Sequence, residues 1–135
     1  MRIMAVDYGD RRTGVAVSDL TGSIAGEAFV IAEWDGDALA EKLAAEAGER
    51  GVELIVLGHP LNMDGTPGER AAKSEALCEK LKEKTGLPCV LRDERRTTVD
   101  AHRILHANGK KEKKHRKNVD AVAATLILEG YLNSL

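Results

Sequence analysis

This chain is short of cysteine, of aromatic side chains, of net charge and of long apolar runs, and each shortage closes off a class of protein. Its two cysteines, Cys78 and Cys89, have no nearby Cys/His partners from which a zinc pattern could be built. They are also too few for a disulfide scaffold, and read as buried or idle thiols of a reducing compartment. The aromatics are Tyr8, Phe29, Trp34 and Tyr131, too few for a platform on which successive bases of a single strand would stack. No run of about 20 apolar residues occurs, which excludes a membrane span, and the N-terminus enters a strand at once with no secretory signal pattern. The expectation is a cytoplasmic protein without membrane contact. A net charge of -2 argues against a protein that coats nucleic acid along its whole surface.

What is present suits one enzyme-sized domain. The 135 residues, 43% of them hydrophobic, suffice for a single core over residues 1–135 without a disulfide or structural metal. The charge is unevenly placed. Residues 1–91 carry 10 Lys/Arg against 16 Asp/Glu, and residues 92–117 carry 10 against four, a segment of net +6. That block lies beside acids with unusual positions, and a basic stretch next to a carboxylate cluster reads as a footprint for a phosphate backbone.

Hydrophobic periodicity orders the elements. Ile3–Tyr8, Thr13–Ser18 and Gly26–Glu33 read as three strands joined by short connections, an antiparallel meander. In the first, period two places Ile3, Ala5 and Asp7 on one face and Met4, Val6 and Tyr8 on the other. A helix is expected over 35–50, capped by Asp35 or Asp37, with Leu39, Leu43, Ala44 and Ala47 inward and Gly51 as its stop. Residues 52–57 form a nearly continuous apolar strand of the buried parallel kind. A polar loop through Asn62–Gly68 leads into a helix to Lys84 with Leu77, Cys78 and Leu81 inward. Leu87–Leu91 is the fifth strand. A short helix over 99–106 capped by Thr97 or Thr98, a basic loop over 110–117 and a last helix over 118–132 complete the chain. The stripe Val119, Val122, Ala123, Leu126 and Ile127 is the expected buried face of that last helix. The result is an α/β fold: a mixed five-stranded sheet, antiparallel meander plus parallel strands, flanked by helices.

Three acids stand out against this frame. Asp7 ends the first strand, Glu94 follows the fifth, and Asp120 lies in the first turn of the last helix. In open α/β sheets ligands collect beyond the carboxyl ends of the strands. Carboxylates gathered there suit Mg²⁺ or Mn²⁺, one ion or two, because Mg²⁺ takes a few carboxylates and leaves room for waters and phosphate oxygens. Two such ions serve in-line displacement at phosphorus. Each acid alone also has a plainer role, Asp120 above all, since acids are stabilised in a helix's first turn. Asp93 competes with Glu94, and adjacent strand residues face opposite ways, so only one can enter the site; Glu94 is the preferred ligand. Arg95 is the candidate phosphate or structural partner beside it, and Lys117, at the entrance of the last helix, is a candidate either to contact the scissile phosphate or to offset the crowded negative charge. His59, at a strand end, reads as a hydrogen-bonded structural residue.

The motifs carry a resemblance. Asp7-Tyr8-Gly9-x-x-Arg12-x-Gly14-Val15-Ala16-x-Ser18-Asp19 resembles the opening motif of the YqgF family, the RuvX-type proteins related to Holliday-junction resolvases and regarded as pre-16S rRNA nucleases. Gly58-x-Pro60-x-x-x-Asp64-Gly65, Asp93-Glu94-Arg95-x-Thr97-Thr98-x-x-Ala101 and Asp120-Ala121-x-Ala123-Ala124-x-x-x-Leu128 are similar to its later motifs, in order, over essentially the whole chain. His59 and Arg96 depart from the family's usual apolar residues. The resemblance implies an RNase H-like fold and a divalent-metal nuclease that matures the 5′ end of the small-subunit rRNA precursor. It assigns Asp7, Glu94 and Asp120 as catalytic and metal-binding residues; Arg12, Arg95 and Lys117 are the expected substrate contacts. The expected partner is structured RNA, or a DNA junction, met by a monomer or weak homodimer. Two alternatives of other classes stay open: an RNA- or ribosome-binding module whose acids are structural, and an ATPase of the sugar-kinase kind, whose phosphate-binding hairpin Asp7–Gly14 also resembles.

Overall fold

The computed structural model describes residues 1–62, 64–66, 68–93 and 119–135, the side chains of Val119 and Asp120 excepted. The expected short helix over 99–106, the basic loop over 110–117, and Glu94, Arg95 and Lys117 lie outside the described residues.

Three strands open the chain, β1 (Ile3–Asp7), β2 (Arg12–Ser18) and β3 (Ala25–Ala32), and both pairings are antiparallel, as a meander requires. Helix α1 (Gly36–Glu49) then leads to β4 (Leu54–His59), α2 (Glu69–Thr85), β5 (Cys89–Asp93) and the last described helix, α3 (Val119–Asn133). The sheet order is β3-β2-β1-β4-β5, with β4 parallel to both β1 and β5. This is the mixed five-stranded sheet expected from the pattern. The strand limits move by one or two residues: β4 begins at Leu54 and runs on to His59, and β5 is carried through Asp93.

Local chemistry explains the helix ends. Of the two candidate caps, Asp35 is the one used, its carboxylate accepting from the Ala38 N–H at 3.4 Å. Gly51 and Gly86 follow α1 and α2 with φ of 64° and 70°, the left-handed conformation that terminates a helix at little cost only in glycine.

The sheet is covered on both faces, and its period-two alternation sorts residues cleanly between two cores. Met4, Val6, Val15, Val17, Ile55 and Leu57 pack with Leu39 and Leu43 of α1 and Leu77 and Leu81 of α2. On the opposite face Ile3, Ala5, Ala16 and Val56 pack with Ala124, Ile127 and Leu128 of α3. β4 is buried on both sides, which is why its sequence lacks polar alternation.

The last helix corrects the expected stripe. Among its described side chains Ala121, Ala124, Leu128 and, as expected, Ile127 are buried, whereas Val122, Ala123 and Leu126 are only half-buried. Residues 121–128 are apolar almost without interruption, so hydrophobic pattern alone cannot choose a face. Packing chooses it, turning the alanines at 121 and 124 toward the sheet, where a small side chain permits close approach.

Candidate functional site

Asp7 is the last residue of β1, half-buried, and shares its face with Ile3 and Ala5, the face on which α3 packs. The expected division of β1 is therefore the observed one, with Tyr8 packed against the α1/α2 core. Asp120 lies in the first turn of α3. Two of the three singled-out acids thus belong to elements packed against each other, one a strand end and the other a helix start.

The sheet register supplies the surroundings of Asp7. Val6 pairs with Leu57, and Leu57 with Leu91. One step on, Asp7 stands across from Gly14 on β2, and Gly58 on β4 stands across from Arg92 on β5. Both glycines are buried. The register position opposite Asp7 on β2 and the one following Leu57 on β4 are thus glycines, which bring no side chain of their own to that spot.

Cations share that face. Arg12 opens β2 two residues before Gly14 and so projects to the Asp7 side. Arg92 lies two strands from Asp7, a lateral separation of about 10 Å. Its guanidinium lies against α3: a Cβ added to Gly130 would sit 3.2 Å from its Nε and Nη2. Sequence reasoning counted Arg92 only within the basic segment. The overlooked signal was its spacing from Val90, since strand alternation fixes its side once the face of Cys89 is known.

Alternation also places Asp93. Cys89 belongs to the α1/α2 core, so Leu91 and Asp93 project to that side, away from the Asp7 face. His59 projects the same way and its Nε2 meets Glu75 Oε1 of α2 at 3.0 Å, the structural pairing expected of it. The turn from β1 to β2 is held close by Gly9, where an added Cβ would fall 2.1 Å from the Arg12 carbonyl oxygen. Arg70 of α2 donates to the Tyr8 carbonyl at 3.4 Å on the far side of the same turn.

Among the described residues no three His, Cys, Asp or Glu side chains converge as a cation cage. The donor set nevertheless fits a hard divalent ion in kind: a carboxylate at a strand end, glycines beside it, and a second acid on the helix across that face. Among the described residues no helix is long and apolar enough to cross a membrane.

Comparison with known proteins gives the family and the fold. The family model described as "RuvX: Holliday junction resolvase" matches residues 1–134. A Geobacillus thermodenitrificans protein named "Putative pre-16S rRNA nuclease" is 46% identical over 136 residues, covering 99% of each chain. Among solved structures, the fowlpox virus resolvase bound to Holliday-junction DNA superposes with a TM-score of 0.64 at 13% identity, covering 99% of this chain and 98% of that one. Thermus thermophilus RuvC with a Holliday-junction substrate gives 0.58 at 13%, covering 99% and 96%. The two superpositions establish the shared RNase H-like fold, and the sequence matches establish kinship. The chain belongs to the RuvX (YqgF) family.

Proposed function

We propose that this protein is a divalent-metal-dependent nuclease that hydrolyses phosphodiester bonds in structured RNA, its physiological substrate being the 5′ region of the pre-16S rRNA. The observation that carries the reading is the position of Asp7: at the carboxyl end of β1, between Gly14 and the strand bearing Gly58, on the face covered by the helix whose first turn carries Asp120. Asp7, Glu94 and Asp120 are the residues that would hold Mg²⁺ or Mn²⁺. With Asp93 turned to the opposite side, Glu94 is the acid of that pair assigned to the site. When bound, such an ion supplies Lewis-acid activation of the phosphate and of an attacking water.

The chain's own residues bring the substrate into place. Arg12 and Arg92 project to the face of Asp7 from strands on either side of it, so a backbone phosphate near the carboxylates would meet positive charge laterally. Arg95 and Lys117 belong to the +6 segment and extend that charge. Long-range attraction to the segment offsets the repulsion between an anionic strand and the acids. The protein acts in the cytoplasm, as a monomer or weak homodimer.

One other reading has a specific observation behind it. The family model's description and both superposed resolvases refer to Holliday junctions, so a DNA four-way junction is the competing substrate. The two are separated by cleavage assays run side by side on a precursor rRNA fragment and a DNA junction, with Mg²⁺ or Mn²⁺. Preferential cutting of the RNA is expected. Asp7→Asn should reduce it by about 100-fold or more, since even residues that merely support a metal ligand cost 10- to 100-fold. Undiminished RNA cleavage by Asp7→Asn would remove the metal-site reading, and faster cutting of the junction would transfer the assignment to DNA.

A further inference from the structure

We infer that the groove beside Trp34 holds one unpaired nucleotide of the substrate strand, its base stacked on the indole and its phosphate against Arg11. The inference deepens the nuclease reading above and rests on it for the identity of the ligand. The groove, about 740 Å³, opens between the β1–β2 turn, the end of β3 and the first turns of α2, with Tyr8, Asp10, Arg11, Glu33, Trp34 and Lys73 on its walls. That volume falls within the range of small-ligand sites and suffices for a nucleotide.

Trp34 is 80% exposed, an unusual state for the largest apolar side chain in the molecule. It is nevertheless held by its neighbours. Glu33 ion-pairs with Lys42 at 2.9 Å and also accepts from the Asp35 N–H at 3.2 Å, while Asp35 caps α1. Residues on both sides of Trp34 are tied down, so the indole is presented on an anchored backbone.

The charges around it favour an anion. Glu33 is engaged by Lys42, and Asp10 faces Lys73 at 3.8 Å. Arg11 is exposed and has no ion pair among the described residues; the same holds for Arg70, whose guanidinium donates to the Tyr8 carbonyl at the groove's edge. The groove also continues the candidate site. Tyr8 lines it, and the preceding residue is Asp7, projecting to the other face of the same sheet end. A strand crossing the carboxyl end of β1 and the amino end of β2 would pass from one to the other.

Stacking on an indole needs a free base face, and inside a duplex both faces of a base are covered by neighbours. The ligand is therefore single-stranded at this point. Four aromatics in the chain exclude a row of stacked bases but leave room for one.

Trp34 is the only tryptophan, so its emission reports on this groove alone. The full-length protein in EDTA, where metal-dependent cleavage is suppressed, is titrated with a ten-nucleotide single-stranded oligoribonucleotide and with its duplex. The single strand should quench emission saturably and the duplex should not. Binding of the same oligonucleotide, fluorescein-labelled and followed by anisotropy, should weaken about five- to 150-fold in Trp34→Ala, the span of a base–aromatic stack. Trp34→Phe should recover most of it, and Arg11→Ala should lower the salt dependence by about one phosphate contact. Absence of quenching, equal quenching by the duplex, quenching by a ten-residue peptide but not by RNA, or unchanged affinity in Trp34→Ala would each overturn the inference. Since the readout is binding without metal, cleavage that survives Asp7→Asn would refute the nuclease site and leave these binding results standing. Intact cleavage with unaltered Trp34→Ala binding would refute the groove alone.

Discussion

Replacing Gly9 by alanine tests whether the β1–β2 turn holds Asp7 and Arg12 in register. The added Cβ would be built 2.1 Å from the carbonyl oxygen of Arg12, more than an ångström inside normal contact. The obstructing atom is backbone and cannot swing aside like a side-chain end, so the turn itself must open. Overpacking of this kind costs about 1–3 kcal/mol. With an unfolding entropy of about 2.1 cal/mol/K per residue, a chain of this length should melt about 4–10 °C lower. The functional cost should exceed the loss of stability. Asp7 precedes the turn by two residues and Arg12 closes it, so opening the turn moves the carboxylate relative to the cation. A displacement near 1 Å at a reacting centre is worth about 100-fold in rate. Thermal melting and metal-dependent cleavage of a precursor rRNA fragment, measured well below the melting temperature, give the two numbers. Gly48→Ala is the control of opposite sign: nothing lies within 4 Å of its Cβ and it sits in α1, so it should stabilise by up to about 1 kcal/mol with unchanged cleavage. Wild-type melting and wild-type cleavage in Gly9→Ala would refute the close approach and its bearing on the site.

Two further outcomes follow from the packing. Ile127→Ala and Leu128→Ala, both fully buried against the Ile3/Ala5 face, should each destabilise by about 2–5 kcal/mol in urea unfolding, whereas half-buried Leu126→Ala should cost distinctly less; a larger loss for Leu126→Ala than for Leu128→Ala would mean that α3 presents a different face. Burial, and secondarily the neighbouring Cys78 thiol, pushes the Cys89 thiol up to about 11 from an ordinary value near 9, and burial raises Cys78 as well. Both should therefore resist a thiol-specific reagent at pH 8 in the folded protein and react once it is unfolded. Because the folded Cys89 holds its proton more tightly, its contribution to stability is present below pH 9 and is lost as pH rises through about 11. Rapid native-state labelling at pH 8, or stability that rises over that interval, would contradict the burial.

Much of this was legible from local pattern. Strand periodicity placed Asp7 with Ile3 and Ala5 on one side of β1 because alternation is a property of the strand alone, and the same rule carries Asp93 to the side opposite Asp7. Glycine at position 51 marked the end of α1, and His59 proved to be the hydrogen-bonded residue expected. Family motifs proposed a role for the acids, which periodicity could only single out. Local pattern failed where it carried no contrast: α3 is apolar on nearly every side, so Ile127 is buried as expected while Val122, Ala123 and Leu126 are not, and Ala121, Ala124 and Leu128 take their place.

What the sequence by itself determined is the succession of elements and the side to which each strand residue points, because both arise from backbone geometry over a few neighbouring positions. Only the tertiary structure decided that Gly14 stands opposite Asp7, that Gly58 carries the row onward to Arg92, that Arg92 lies against Gly130, and that Trp34 opens onto a groove at the end of the same sheet. Each of these joins residues far apart in the chain, and their meeting depends on strand register and helix packing, which minimise the free energy of the whole core and have no counterpart in any single segment.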